Sequence, residues 1–190
     1  MHRLFLVLPS APTTVHSFSM SKSKPRKPAA EIAVIGDVDD WEEEVVKALL
    51  DLPLGGGCVF YIDSAGGRVF GALAVLTLLR HRRLSGTAVV LGECSSATLL
   101  LFAACRRRLV SRFSLFLFHR MRWQSEKRVN AQEALSWAKH FHEMENDLDD
   151  LQVRLFGKAE DLVRSWTATG QYVTGLQLVE AGLAELLEWE

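Results

Sequence analysis

The strongest constraint on the fold is an alternation. Three short apolar runs rich in β-branched residues are each closed by glycine or a polar turn and separated by helical patterns. Ile32-Ala33-Val34-Ile35 ends at Gly36, Cys58-Val59-Phe60-Tyr61-Ile62 runs into Asp63, and Thr87-Ala88-Val89-Val90-Leu91 runs into Gly92. Such runs lack the polar alternation of a half-solvated strand and predict strands covered on both faces; strands separated by helices predict a parallel α/β sheet. The intervening helices are predicted over 37–52, 68–83 and 97–105. The first carries Trp41, Val45, Val46, Leu49 and Leu50 near helical spacing and is stopped by Pro53 and Gly55-Gly56-Gly57. Residues 109–118 predict one more apolar strand or a pair. Residues 130–156 predict one long helix, able to extend from the core. A helix over 159–166, a short strand at 172–173 and a helix over 176–181 capped by Gly182 complete the pattern.

Length and charge narrow the function classes. A chain of 190 residues is near the size of one ordinary domain, and a formal net charge of -1 excludes broad electrostatic nucleic-acid binding. Cys58, Cys94 and Cys105 lie in apolar stretches without metal-ligand spacing, so buried, reduced thiols are expected, with neither disulfide nor zinc framework. Residues 1–29, with Lys22, Lys24, Arg26 and Lys27 among serines and prolines, are expected to be a disordered basic tail preceding a domain at 30–190. The apolar run at 4–8 is too short for a secretory signal, and no stretch has the roughly 18 to 20 apolar residues of a membrane span.

Three turns are candidates for chemistry because open α/β sheets bind ligands at strand carboxyl ends. Asp63-Ser64-Ala65-Gly66-Gly67 leads into a helix, so its N–H groups could face an oxyanion, although a plain strand-to-helix turn reads the same way. Gly92-Glu93-Cys94-Ser95-Ser96-Ala97 has the mechanics of a nucleophile elbow, and equally those of a serine capping a helix. His119, at the end of Phe116-Leu117-Phe118, stands where a general base could emerge, since imidazole ordinarily titrates near neutrality. A structural histidine fits there too. His140 and His142, two apart on the long helix, read as surface residues.

Taken jointly, these elements resemble the Clp protease proteolytic subunit family over roughly residues 31 to 186. Ile62-Asp63-Ser64-Ala65-Gly66-Gly67 is similar to that family's strand end Asn-Ser-Pro-Gly-Gly. Gly92-Glu93-Cys94-Ser95-Ser96 is similar to its Gly-x-Ala-Ala-Ser turn, and Leu117-Phe118-His119 to its Met-Ile-His. Glu180-Ala181-Gly182-Leu183 is similar to its closing segment. The resemblance implies an α/β fold of the Clp protease and crotonase type, a spiral of repeated β-β-α units with a protruding handle helix. It implies a serine-type endopeptidase with Ser96 as nucleophile, His119 as base, and the N–H groups of Gly67 and Ala97 as oxyanion hole.

The same resemblance implies no cofactor or metal, a peptide or unfolded-protein substrate, a homo- or hetero-oligomeric ring, a possible AAA+ unfoldase partner and a cytoplasmic location, with neither nucleic acid nor membrane involved. The sequence departs from the pattern at Ala65 and at Arg120-Met121, where the family carries prolines. Counting from Gly182 and from Phe156-Gly157 puts Gly170 at the position of the triad aspartate, and a glycine cannot orient an imidazole. Asp147, Asp149 and Asp150 are near only in sequence. Three alternatives stay open: a catalytically impaired ring subunit, a Ser-Lys peptidase of the signal-peptide-peptidase type using Lys127 or Lys139, and a crotonase-type acyl-CoA enzyme, which the two-glycine turn and the Ser96 elbow fit less well.

Overall fold

A computed structural model describes residues 29–124 and 128–188. All but the last residue of the expected basic tail, and Lys127, therefore lie outside the described residues. Five parallel strands form the main sheet: β1 (Ala30–Asp37), β2 (Gly57–Gly66), β3 (Ser85–Cys94), β4 (Arg107–Val110) and β7 (Glu185–Leu186), in the order β1-β2-β3-β4-β7. Helices α1 (Val38–Asp51), α2 (Val69–His81) and α3 (Thr98–Ala104) follow the first three strands. The alternation in the sequence is thus the alternation of the fold, and the span 109–118 resolves into two strands, β4 and β5 (Leu115–Leu117).

Two strands run further than their apolar runs predict. β2 continues through Asp63-Ser64-Ala65 to Gly66, and β3 through Gly92-Glu93 to Cys94, after a register shift between Ile62 and Ser64. Backbone pairing does not require apolar side chains, so a bulge carries the ladder into polar residues that hydropathy assigns to turns. The extension has a consequence: β3 pairs with β2 and β4 along its body, then with β5 at Glu93↔Leu115, and β5 pairs antiparallel with β6 (Tyr172–Thr174). The strand thus serves two sheets, and the chain turns into α3 at their junction.

The core is built for that junction. Trp41, Val45 and Leu49 of α1 are buried together with Ala72, Val75 and Leu79 of α2, Ile32 and Val34 of β1, and Phe60 and Ile62 of β2. Phe102 of α3 packs on Phe116 of β5 with ring centroids 5.2 Å apart, and Phe118 packs on Trp166 of α5 (Glu160–Thr169) at 5.2 Å. Phe156, the last residue of α4 (Ala131–Phe156), lies 5.9 Å from Phe118. Fully buried aromatics of this size contribute about 1.5 to 3 kcal/mol each, and here they fix the end of β5, from which His119 emerges.

The long helix is one element as expected, opened by a capping box of Asn130 and Glu133 and closed by Gly157 at φ +68°. Only Gln152, Val153 and Phe156 of it are buried. Towards its start Trp137, Phe141, Met144 and Leu148 form a half-exposed apolar stripe, and Leu135 is 69% exposed. The chain ends with α6 (Gly175–Glu180), whose cap Thr174 accepts from Gln177 N, and with the two-residue β7, too short to register in the sequence pattern.

Candidate active site

The elbow is held from both sides by backbone. Ser95 N donates to Ser64 O at 3.0 Å, and Ser96 N donates to Leu117 O at 2.9 Å. The turn between β3 and α3 is thereby tied to the end of β2 and to β5. Ser96 adopts φ +56°, a left-handed conformation that costs a non-glycine residue about 1 to 3 kcal/mol. Arg83 and Ala159 share such a φ; Ser96 alone of the three lines the cleft described below.

Neither serine caps the helix with its side chain: α3 has no side-chain cap bond, and its N-cap residue is Ala97. Ser95, 1% exposed, instead accepts from Leu117 N through Oγ at 2.9 Å. The cap reading therefore fails for both, and the two serines have different tasks. Ser95 locks β5 to the elbow, while the half-buried Ser96 faces the cleft. Cys94, two residues before Ser96, is fully buried, and burial pushes its thiol well above the ordinary cysteine range, so it stays protonated and unavailable as a nucleophile.

A buried hydroxyl pair supports this arrangement. Ser64 Oγ lies 3.0 Å from Thr98 Oγ1, accepts from Gly66 N at 3.2 Å, and is approached by Trp41 Nε1 at 3.4 Å. It joins β2, α1 and α3 beneath the elbow. Gly66 has φ +105°, and a Cβ there would stand 2.6 Å from Ser96 Cβ, so only a glycine lets the β2 end reach the elbow. Gly67 follows at φ +135°, its Cα face closed by Asp37 and the start of α1.

These pieces meet in one cleft of about 480 Å³ lined by Gly67, Ser96, Ala97, His119 and Asp149, with Leu100, Met121, Trp123, Phe141 and Leu148 as apolar walls. Trp123 stacks on Phe141 at 5.0 Å, closing the wall between the loop after β5 and α4. Thr98, Leu99 and Leu100 N–H turn back to the carbonyls of Ser95, Ser96 and Ala97, so the first amide ahead of this turn is that of Ala97, on the cleft side.

His119 is half-buried, and its Nδ1 lies 2.6 Å from Arg120 O. A carbonyl only accepts, so the neutral ring carries its proton on Nδ1 and leaves Nε2 bare. Ser96 and His119 both line the cleft, with no hydrogen bond between them.

The acidic candidates separate. Gly170, the C-cap of α5, is exposed and brings no acceptor. Asp147 is exposed, and Asp150 pairs with Arg164 at 2.8 Å away from the cleft. Asp149 lies in the cleft wall, its side chain 17% exposed and 3.3 Å from Arg120 Nε. Burial raises its pKa above the ordinary aspartate range, opposed by the nearby Arg120 cation. Lys139, a candidate base for the Ser-Lys reading, is 81% exposed, pairs with Glu143, and does not line the cleft. His140 and His142 are exposed, as expected. Sequence reasoning named Arg120, Asp149 and Ser64 without giving any of them a role, and Thr98 not at all. Among the described residues no group of His, Cys, Asp and Glu could hold a metal ion, and no helix is long and apolar enough to cross a membrane.

The family model described as Clp protease matches residues 29–187. No curated protein matches the chain.

Proposed function

The chain belongs to the Clp protease family, and from that premise we propose that it is a serine-type endopeptidase whose nucleophile is Ser96 and whose base is His119. The observation that carries this reading is the convergence of a left-handed serine elbow, a histidine with a bare Nε2 and two glycine- or helix-start amides in one cleft. In the reading, Ser96 Oγ attacks the scissile carbonyl carbon and its proton passes to His119 Nε2. The tetrahedral oxyanion is received by the N–H groups of Gly67 and Ala97. Collapse expels the amine, which takes the proton from His119, and water then releases the acyl group by the same path reversed. The walls around Leu100, Met121, Trp123 and Phe141 suit an apolar substrate side chain.

Clp proteases generally form oligomeric rings acting on peptides. The half-exposed Trp137 and Met144 of that stripe on α4, which do not line the cleft, support assembly of this chain with copies of itself or a related subunit. Within the proposal, the ring works in the cytoplasm on peptides or unfolded chains supplied by an AAA+ unfoldase. Sedimentation of the full chain at micromolar concentration is expected to give an oligomer, reduced by Trp137→Glu; a monodisperse wild-type monomer would count against assembly.

A second reading, a ring subunit without activity of its own, is favoured by one observation: Gly170 supplies no acid. A fluorophosphonate probe separates the two. Covalent label mapped to Ser96 is the expected result, because the probe needs an activated hydroxyl beside an oxyanion hole. Absence of label, under conditions that label an active Clp protease, would establish the inactive subunit instead.

A further inference from the structure

We propose that Asp149, acting through Arg120, is a positioning residue that holds the His119 imidazole in the tautomer and orientation needed of a base. The proposal rests on the reading of His119 as the base. The acceptor for His119 Nδ1 is a backbone carbonyl, that of Arg120, at 2.6 Å. Residues 119–124 belong to no helix or strand, so no ladder fixes the direction of that carbonyl.

What ties Arg120 down is its side chain. Its Nε lies 3.3 Å from Asp149 Oδ2 and its guanidinium 3.8 Å from Glu145 Oε2, two carboxylates one turn apart on the same face of α4. Both acids are largely covered, at 17% and 20% side-chain exposure, whereas Arg120 is 47% exposed. The clamp thus runs from the cleft-lining end of α4 to the peptide that receives the imidazole proton.

An ion pair serving stability alone gains little when its acid is half-buried, because desolvation offsets the attraction. Burial does raise the Asp149 pKa, so the folded protein keeps this carboxylate charged at a cost. A carboxylate retained unfavourably in the wall of a cleft, one residue removed from the acceptor of the base, is placed as functional groups are placed. It supplies a fixed acceptor geometry where Gly170 supplies none.

The test uses full-length protein with ¹⁵N-labelled histidine, and the variants Asp149→Asn and Asp149→Glu. In the Ser96→Ala background, imidazole ¹⁵N shifts report the His119 tautomer without requiring activity. The Nδ1-protonated form is expected to dominate, to give way to a tautomer mixture in Asp149→Asn, and to return in part in Asp149→Glu. With Ser96 present, kcat for a peptide ester is expected to fall about tenfold or more in Asp149→Asn, a fraction of what a positioned base contributes, with KM changed less than about twofold. Asparagine conserves volume and leaves a half-exposed Arg120 that water can solvate, so folding is expected to persist. An unchanged His119 tautomer in Asp149→Asn overturns the proposal. A tautomer that responds in a protein whose Ser96 takes no fluorophosphonate would leave the positioning role standing and remove the peptidase reading.

Discussion

Ser96→Ala is expected to remove peptide-ester hydrolysis, with kcat falling on the order of 10⁴-fold or more, the scale seen when a serine peptidase loses its nucleophile. Ser95→Ala is expected to keep hydrolysis and lose stability. The difference follows from geometry, because the Ser95 hydroxyl is committed to β5 whereas Ser96 lines the cleft. Ser95 Oγ is spent on Leu117 N at 2.9 Å in a site 1% exposed, and removing it leaves a buried donor unpaired, at a cost of about 1 to 3 kcal/mol. For a domain of this size that is a fall of roughly 2 to 4 °C in Tm per kcal/mol. Ser96 lines the cleft at φ +56°.

A third variant sharpens the contrast. Ser96→Gly removes the same hydroxyl and also relieves the left-handed strain, so it should be as inactive as Ser96→Ala but melt no lower. Hydrolysis of a small ester and thermal melting, measured on all three, check the assignment. Equal losses of activity in Ser95→Ala and Ser96→Ala would sink it.

Why the two serines could be told apart only by resemblance shows what the sequence carries. Counting from Gly92 picks Ser96, but nothing in Ser95-Ser96-Ala97 itself says which hydroxyl turns inward, because that depends on where β5 passes. The strands were readable from their β-branched, apolar content, but the expectation that both faces are covered fails. Phe60 and Ile62 are buried whereas Ile35 is 47% and Leu91 55% exposed, so one face of the main sheet stays partly open in the single chain. The strands' polar extensions were not readable, since Ser64 and Cys94 pair through backbone past a bulge and Glu93 pairs with Leu115 of the second sheet.

The long helix was readable from its caps and its spacing, but the pattern of Leu148, Leu151 and Leu155 does not reveal which turn meets the cleft. That is why Asp149 stood undistinguished among three aspartates. Its partner Arg120 was visible only as a departure where the family carries a proline. A side chain replacing a proline there gives the peptide after His119 an anchor on α4, through the pair with Asp149. The Ser64-Thr98 pair lies 34 residues apart in the chain, and no local pattern announces it.

Gly170→Asp is expected to raise kcat, by as much as a large part of the roughly 10⁴ that the triad acid supplies in serine peptidases. β5 and β6 pair at Leu117↔Tyr172, and Phe118 N donates to Gln171 O at 3.0 Å, so the next step of the antiparallel ladder sets Gly170 beside His119. A Cβ added at Gly170 meets nothing within 4 Å, and the opposition to a side chain is conformational only, from φ +69°. Left-handed backbone costs an ordinary residue about 1 to 2 kcal/mol, and aspartate and asparagine are among those that tolerate it best. Gly170→Ala then measures the backbone cost, and Gly170→Asn supplies a side chain of the same shape without charge. A gain in Gly170→Asp absent from Gly170→Asn identifies stabilisation of the imidazolium rather than orientation of the ring. The introduced carboxylate must also take Nδ1 from the Arg120 carbonyl, which makes the anchor on α4 redundant. In the Gly170→Asp background, Asp149→Asn should therefore cost little, and the two substitutions should be strongly non-additive. If Gly170→Ala folds normally and Gly170→Asp neither raises hydrolysis nor alters its pH dependence, His119 is not the base, and the chemistry proposed for Ser96 falls with it.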